Sequence, residues 1–107
     1  DRTTLSTFNP TSIKRLKSVN SNIGVALLTS RKRKDLAGYA KGLGANALHI
    51  KYRLLSKSLA RRCKEENMAL RVYTVNRYLP MFRCFRYGCD GIFTDVPNKA
   101  RLFRTIL

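Results

Sequence analysis

Gly88-Cys89-Asp90-Gly91-Ile92-Phe93-Thr94-Asp95-Val96-Pro97 is the stretch on which the fold turns. Gly88 suits the residue that closes a helix. Asp90 to Thr94 reads as a short strand. Asp95 or Val96 then leads into Pro97, which sits well at the start of a further helix carrying Leu102, Phe103 and Ile106. Helix, strand and helix follow with little between them, as in the repeating unit of a parallel sheet.

The same punctuation continues upstream. Asn76 can cap a helix with Met81, Phe82 and Phe85 inward, and Met68 to Val75 is the strand before it. Ser56 can cap a helix that buries Leu59 and Cys63 and stops at Asn67. Ala45 to Ile50 is another strand. Ile23 to Leu28 is nearly all apolar, as a parallel strand covered on both faces should be. Thr29 or Ser30 could cap the helix after it, whose apolar positions are Leu36, Ala37, Ala40 and Leu43, with Gly44 at its end. Thr3 to Phe8 is the first strand. Asn9-Pro10 opens the first helix, with Ile13, Leu16 and Val19 as its expected buried stripe and Asn20-Ser21-Asn22 as its end.

The chain of 107 residues is thus about five β-α units in one unit, 1–107, without linker or low-complexity tract. Two α/β architectures share that repeat: a small doubly wound sheet and part of a (β/α) barrel. A closed barrel needs eight strands and typically ~250 residues, so this chain cannot close one alone.

Charge is the compositional anomaly. There are 22 Lys and Arg against 6 Asp and Glu, a net charge of +16. Such an excess favours anionic partners: nucleic acid, acidic membrane or a phosphorylated substrate. No apolar run approaches the ~20 residues of a membrane span. Neither end carries a signal-peptide or lipidation pattern, and Asp1 in place of Met implies processing or a start inside a longer protein. Cys63, Cys84 and Cys89 lack metal-site spacing and read as free thiols of a reducing, cytoplasmic compartment.

Three segments in order resemble the last part of glycerophosphodiester phosphodiesterases. They are Leu5-Ser6-Thr7-Phe8-Asn9-Pro10 with Ile13-Lys14-Arg15-Leu16, then Arg71-Val72-Tyr73-Thr74-Val75-Asn76, and the closing Gly88 to Pro97 stretch. Thr7 stands where the family usually has Ser, and Tyr73 where it often has Trp. Ala47 to Leu55 resembles the strand and loop between them.

The resemblance implies a partial TIM barrel, with this chain as strands four to eight. It implies hydrolysis of a glycerophosphodiester to glycerol 3-phosphate and an alcohol. A divalent cation, calcium or magnesium, assists, and two histidines act as acid and base. The family keeps its His-Arg-Gly, its Glu-x-Asp pair, its second His and a further Glu on strands one to three, outside this chain. The residue inventory agrees: acid–base hydrolysis needs a proton acceptor and a donor, and His49 is the only histidine. Asp35, Glu65 and Glu66 fall in expected helices, and Asp90 and Asp95 lie a strand's length apart, so no metal site is expected. The chain alone should be inactive, with no catalytic residue and no bound cation.

Barrel chemistry lies at the C-terminal ends of the strands. The resemblance therefore implies that Phe8 and Tyr73 wall the substrate pocket, unless Phe8 only packs the barrel, and that Asn76 sits at its rim, unless it only caps a helix. Asp95 has the same capping alternative. His49, inside an apolar strand, reads as a satisfied core or rim histidine. Arg31-Lys32-Arg33-Lys34, Lys51, Arg53 and Arg77 follow strand ends on the same face, where a phosphodiester or an anionic lipid surface would approach. The bland alternative is solvated charge, since Lys14, Arg15, Lys17, Arg61, Arg62 and Lys64 are also basic. Expected partners are the substrate, the missing N-terminal half of the barrel, or a second copy joined through open sheet edges. A competing function is a non-catalytic basic half-barrel for anionic lipid or nucleic acid. Nucleic acid is disfavoured, because no RNA-recognition or zinc-finger pattern is present.

Overall fold

The computed structural model describes residues 4–20 and 22–93. Five strands alternate with helices: β1 (Thr4–Thr7), α1 (Pro10–Val19), β2 (Gly24–Thr29), α2 (Leu36–Leu43), β3 (Ala47–Lys51), α3 (Lys57–Glu65), β4 (Ala69–Tyr73), α4 (Tyr78–Arg86) and β5 (Gly91–Ile92). A single 3₁₀ turn, Tyr52–Leu54, lies between β3 and α3. Thr3, Thr94, Asp95 and the helix expected after Pro97 lie outside the described residues.

All strand pairs are parallel, and the spatial order is β1-β2-β3-β4-β5. That order selects between the two architectures. A doubly wound sheet reverses its strand order at a switch point, whereas a barrel adds each strand beside the last. The chain is a stretch of barrel wall.

Register divides the side chains between two faces. Val25, Leu27, Leu48, Ile50, Leu70 and Val72 join one buried core with Ile13, Ala37, Ala40, Ala60, Cys63, Met81 and Cys84 of the helices. The alternate residues form the opposite, inner face. Ser6, Ala26, Ala47 and Ala69 make one row of it, and Leu28, His49, Arg71 and Gly91 the next.

Local chemistry explains most element boundaries. Asn9 accepts from the Thr11 amide at 3.0 Å and starts α1. Ser56 accepts from the Leu59 amide at 3.0 Å and starts α3. Gly44 (φ 92°) and Gly88 (φ 76°) take left-handed conformations after α2 and α4, and Asn67 (φ 55°) does so before β4.

Other boundaries correct the expectations. Neither Thr29 nor Ser30 caps α2. Asp35 does, accepting from the Gly38 amide at 3.3 Å, because residues 30–34 form a loop first. A Cβ on Gly38 would collide with the Asp35 carboxylate, so the cap depends on that glycine. The N-cap of α4 is Arg77, not Asn76. Val19 is 82% exposed rather than part of the α1 stripe. At 3.6 residues per turn it stands about 120° around the helix from Ile13. In α4, Cys84 takes the inward position and Phe82 is 48% exposed. In α3, Ala60 and Cys63 are buried and Leu59 only half-buried.

Candidate functional site

Two tiers of polar side chains occupy the inner face and the strand ends. The deeper tier is centred on His49, which is 5% exposed. Its Nε2 lies 3.1 Å from Arg71 Nη1, and its Nδ1 lies 3.4 Å from Ser6 Oγ. A guanidinium can only donate, so Nε2 must accept. The neutral ring then carries its proton on Nδ1, facing Ser6. Burial, followed by the adjacent Arg71 charge, pushes the His49 pKa down to about 4. The Phe93 ring covers it edge-on, with centroids 5.2 Å apart.

His49 is thus the satisfied histidine the apolar strand suggested. The structure adds what it satisfies: it holds Arg71 on the inner face. Sequence reading missed Arg71. Its one signal was a charge in the middle of an otherwise apolar strand, but its orientation depends on the register with β3.

The upper tier lies at the strand ends. Lys51 and Tyr73 are register partners on β3 and β4. Tyr73 leans across β3 and donates its hydroxyl to the Thr29 carbonyl at 3.2 Å. Burial raises its pKa, against an opposing contribution from Arg53. Arg53 donates to the Ser30 carbonyl, so both side chains brace the end of β2. Phe8 follows β1 and is 63% exposed. Asn76 is exposed in the segment between β4 and α4.

The basic run after β2 is less uniform than its sequence. Arg31 is exposed, and its amide donates to Thr29 Oγ1 at 3.1 Å in a local turn. Arg33 lies over the Tyr39 ring, 3.7 Å from its centroid. The run does not abut the α2 N-terminus directly, because Asp35 intervenes there.

The carboxylates lie elsewhere. Arg62 pairs with Asp35 at 3.1 Å, Glu65 at 3.1 Å and Glu66 at 3.0 Å on the outer helical layer. That pairing holds Asp35 below the usual carboxylate range. Asp90 accepts from the Leu70 amide at 2.7 Å, at the beginning of β5. Among the described residues there is no group of three His, Cys, Asp or Glu that could hold a metal ion. The described residues alone do not assemble a ligand set for the divalent cation that the resemblance implies. Among the described residues Arg62 makes the only ion pairs, and none of the described carboxylates pairs with Lys51, Arg53 or Arg71. No described helix is long and apolar enough to cross a membrane.

A parallel, sequentially ordered wall with its helices outside and cations at its strand ends is a segment of a (β/α) barrel. The model of the glycerophosphoryl diester phosphodiesterase family matches residues 1–99, and the chain belongs to that family. It is 33% identical over 102 residues to the uncharacterised protein YqiK of Bacillus subtilis, covering 94% of this chain and 42% of that protein. It is 30% identical over 98 residues to a glycerophosphodiester phosphodiesterase of Caldanaerobacter subterraneus, covering 92% of this chain and 40% of the relative. The chain therefore spans about two fifths of the length of these curated relatives. Among solved structures, a glycerophosphoryl diester phosphodiesterase from Silicibacter pomeroyi superposes with a TM-score of 0.88 at 18% identity, over 98% of this chain and 38% of that one. An Oleispira antarctica phosphodiesterase in complex with sn-glycerol-3-phosphate superposes at 0.84 and 19% identity, over 95% and 41%. These likenesses establish the fold.

Proposed function

We propose that the chain is the C-terminal wall, strands four to eight, of a glycerophosphodiester phosphodiesterase, and that it contributes substrate contacts while the catalytic groups lie outside it. The observation that carries this reading is the set of cations Lys51, Arg53 and Arg71, gathered with Tyr73 on the inner face and strand ends without a described carboxylate among them. Such a surface suits a phosphodiester anion. The product found in the Oleispira antarctica neighbour supports the same substrate class.

Hydrolysis adds water to phosphorus and releases the alcohol with a proton, so a base and an acid must serve in turn. His49 serves neither role well, because its low pKa and its contact with Arg71 keep it neutral and engaged. Phe8 and Tyr73 wall the pocket, with Asn76, Arg31, Lys51 and Arg53 at its rim. Calcium or magnesium would be held by carboxylates outside this chain, and the chain alone is inactive. Cys63, Cys84 and Cys89 are free thiols, which supports a reducing, cytoplasmic setting. The non-catalytic half-barrel reading gains no support from the relatives.

The test is turnover of glycerophosphocholine with added calcium or magnesium, on the 107-residue chain and on the longest upstream extension of its reading frame. Activity confined to the longer product is expected. Turnover by the short chain would overturn the reading. In the active product, neutralising Arg31 to Lys34 should raise KM by roughly tenfold, the scale of one charge-assisted contact. An unchanged KM would remove the basic run from the substrate rim.

A further inference from the structure

Helix α4 turns an unusual side to solvent. Leu79, Phe82, Arg83 and Arg86 recur at the spacing that puts them on one stripe of a helix. Met81 and Cys84 face the core. Leu79 is 77% exposed, Phe82 48% and Tyr78 49%. The exposed side of a helix on a soluble domain is ordinarily polar. Here it is aliphatic, aromatic and cationic, and α4 contains no acidic residue. The Arg86 guanidinium stands 6.0 Å from the centre of the Phe82 ring.

The patch is also hollowed. A cleft of ≈ 520 Å³ runs beside it, lined by Tyr52, Lys57, Pro80 and Tyr87 together with Phe82 and Arg83. Its walls are apolar or aromatic surfaces and cations. It lies on the helical side of the sheet, opposite the inner face that carries His49 and Arg71.

We infer that this face of α4 docks the protein on an anionic phospholipid bilayer. Leu79 and Phe82 enter the headgroup–acyl boundary, and Arg83, Arg86 and Lys57 meet the lipid phosphates. Charge complementarity selects the occupant: a cationic patch with no carboxylate among its described residues repels basic partners and attracts an acidic surface. The apolar half of the stripe separates a bilayer from a nucleic acid. Phosphate backbones reward the arginines but give Leu79 nothing to enter, whereas an amphipathic helix on a membrane uses both halves. The inference rests on α4 and the adjoining Lys57 and stands apart from the catalytic reading, since vesicle binding is measured without turnover.

The experiment is flotation of the full-length protein with vesicles of equal parts phosphatidylglycerol and phosphatidylcholine, beside vesicles of phosphatidylcholine alone. The wild type should float with the anionic vesicles only. The double variant Leu79→Ser with Phe82→Ser, with circular dichroism confirming its fold, should bind roughly tenfold or more weakly. Arg83→Gln with Arg86→Gln should also weaken binding. Lys14→Gln with Arg15→Gln removes the same charge from α1 and should change binding little. Three results would overturn the inference: no flotation of the wild type, full binding by the Leu79/Phe82 variant, or an equal loss in the α1 control. Equal loss would show that general positive charge, not α4, drives adsorption.

Discussion

His49 sits among apolar neighbours with a cation against one ring nitrogen and a hydroxyl near the other. Its behaviour on acidification follows from that setting. An unfolded histidine titrates near 6.5, and here the folded value is about 4. Between those values the unfolded chain binds a proton that the folded chain does not. Stability contributed by the neutral ring is therefore complete above pH 6.5 and is lost as pH falls toward 4. The loss is bounded at roughly 3 kcal/mol. In His49→Gln, whose amide can still accept from Arg71, denaturant midpoints should lose that part of their slope between pH 6.5 and 4. A slope identical to wild type would mean that the histidine does not titrate as described.

Thiol chemistry separates residues in the same way. Burial pushes the Cys63 thiol up to about 11, so alkylation at pH 8 should be slow until the chain unfolds. Rapid modification of Cys63 in the folded chain, read by mass spectrometry, would contradict its buried position. Single residues were also the least legible part of the sequence. Asn9 and Ser56 announced themselves as caps because each stands just before an apolar periodicity. Asp35 was hidden, since Thr29 and Ser30 are equally good capping residues and nothing local marks the loop between.

Elements were easier to read, because each carries several coincident signals. The apolar run from Ile23 to Leu28 marks β2, and Gly44, Asn67 and Gly88 stop their elements in left-handed conformations as their residue types suggest. Facing was harder. Met81, Phe82, Cys84 and Phe85 all fit an inward stripe, and only the packed sheet decides that Cys84 goes in and Phe82 stays half out. The two sides of α4 should therefore respond differently. Met81→Ala, which empties a fully enclosed site, should cost about 2–5 kcal/mol. Phe82→Ser should cost well under 1 kcal/mol, as surface substitutions usually do. Thermal unfolding of the pair checks the contrast, and equal losses would mean that Phe82 is a core residue. Ser56→Ala should cost about 1 kcal/mol through the lost α3 cap.

At the scale of the whole molecule, strand order was legible only through the resemblance. Repeating β-α units fit two topologies, and the difference lies in which strands are neighbours, a long-range fact that no local pattern carries. That the basic residues 31–34, Lys51, Arg53 and Arg77 follow strand ends was legible from the β-α repeat itself. The His49–Arg71 pair was not, because it exists only once β3 and β4 fall into register. The described sheet ends on one side at β1 and on the other at β5, both with an unpaired edge among the described residues. Such edges invite another strand. Sedimentation of the 107-residue chain is thus expected to show concentration-dependent self-association, which the longer product should suppress. A strictly monomeric short chain would argue against that role for the edges.

The Arg62 cluster has one more consequence. By gathering Asp35, Glu65 and Glu66 onto a single spot of the helical layer, it concentrates most of the described negative charge in one place on a strongly cationic body. Three of the four described carboxylates are thereby committed to one arginine, so what they neutralise is local. Because those pairs are exposed, added salt should loosen them while leaving the cationic excess of the chain in place.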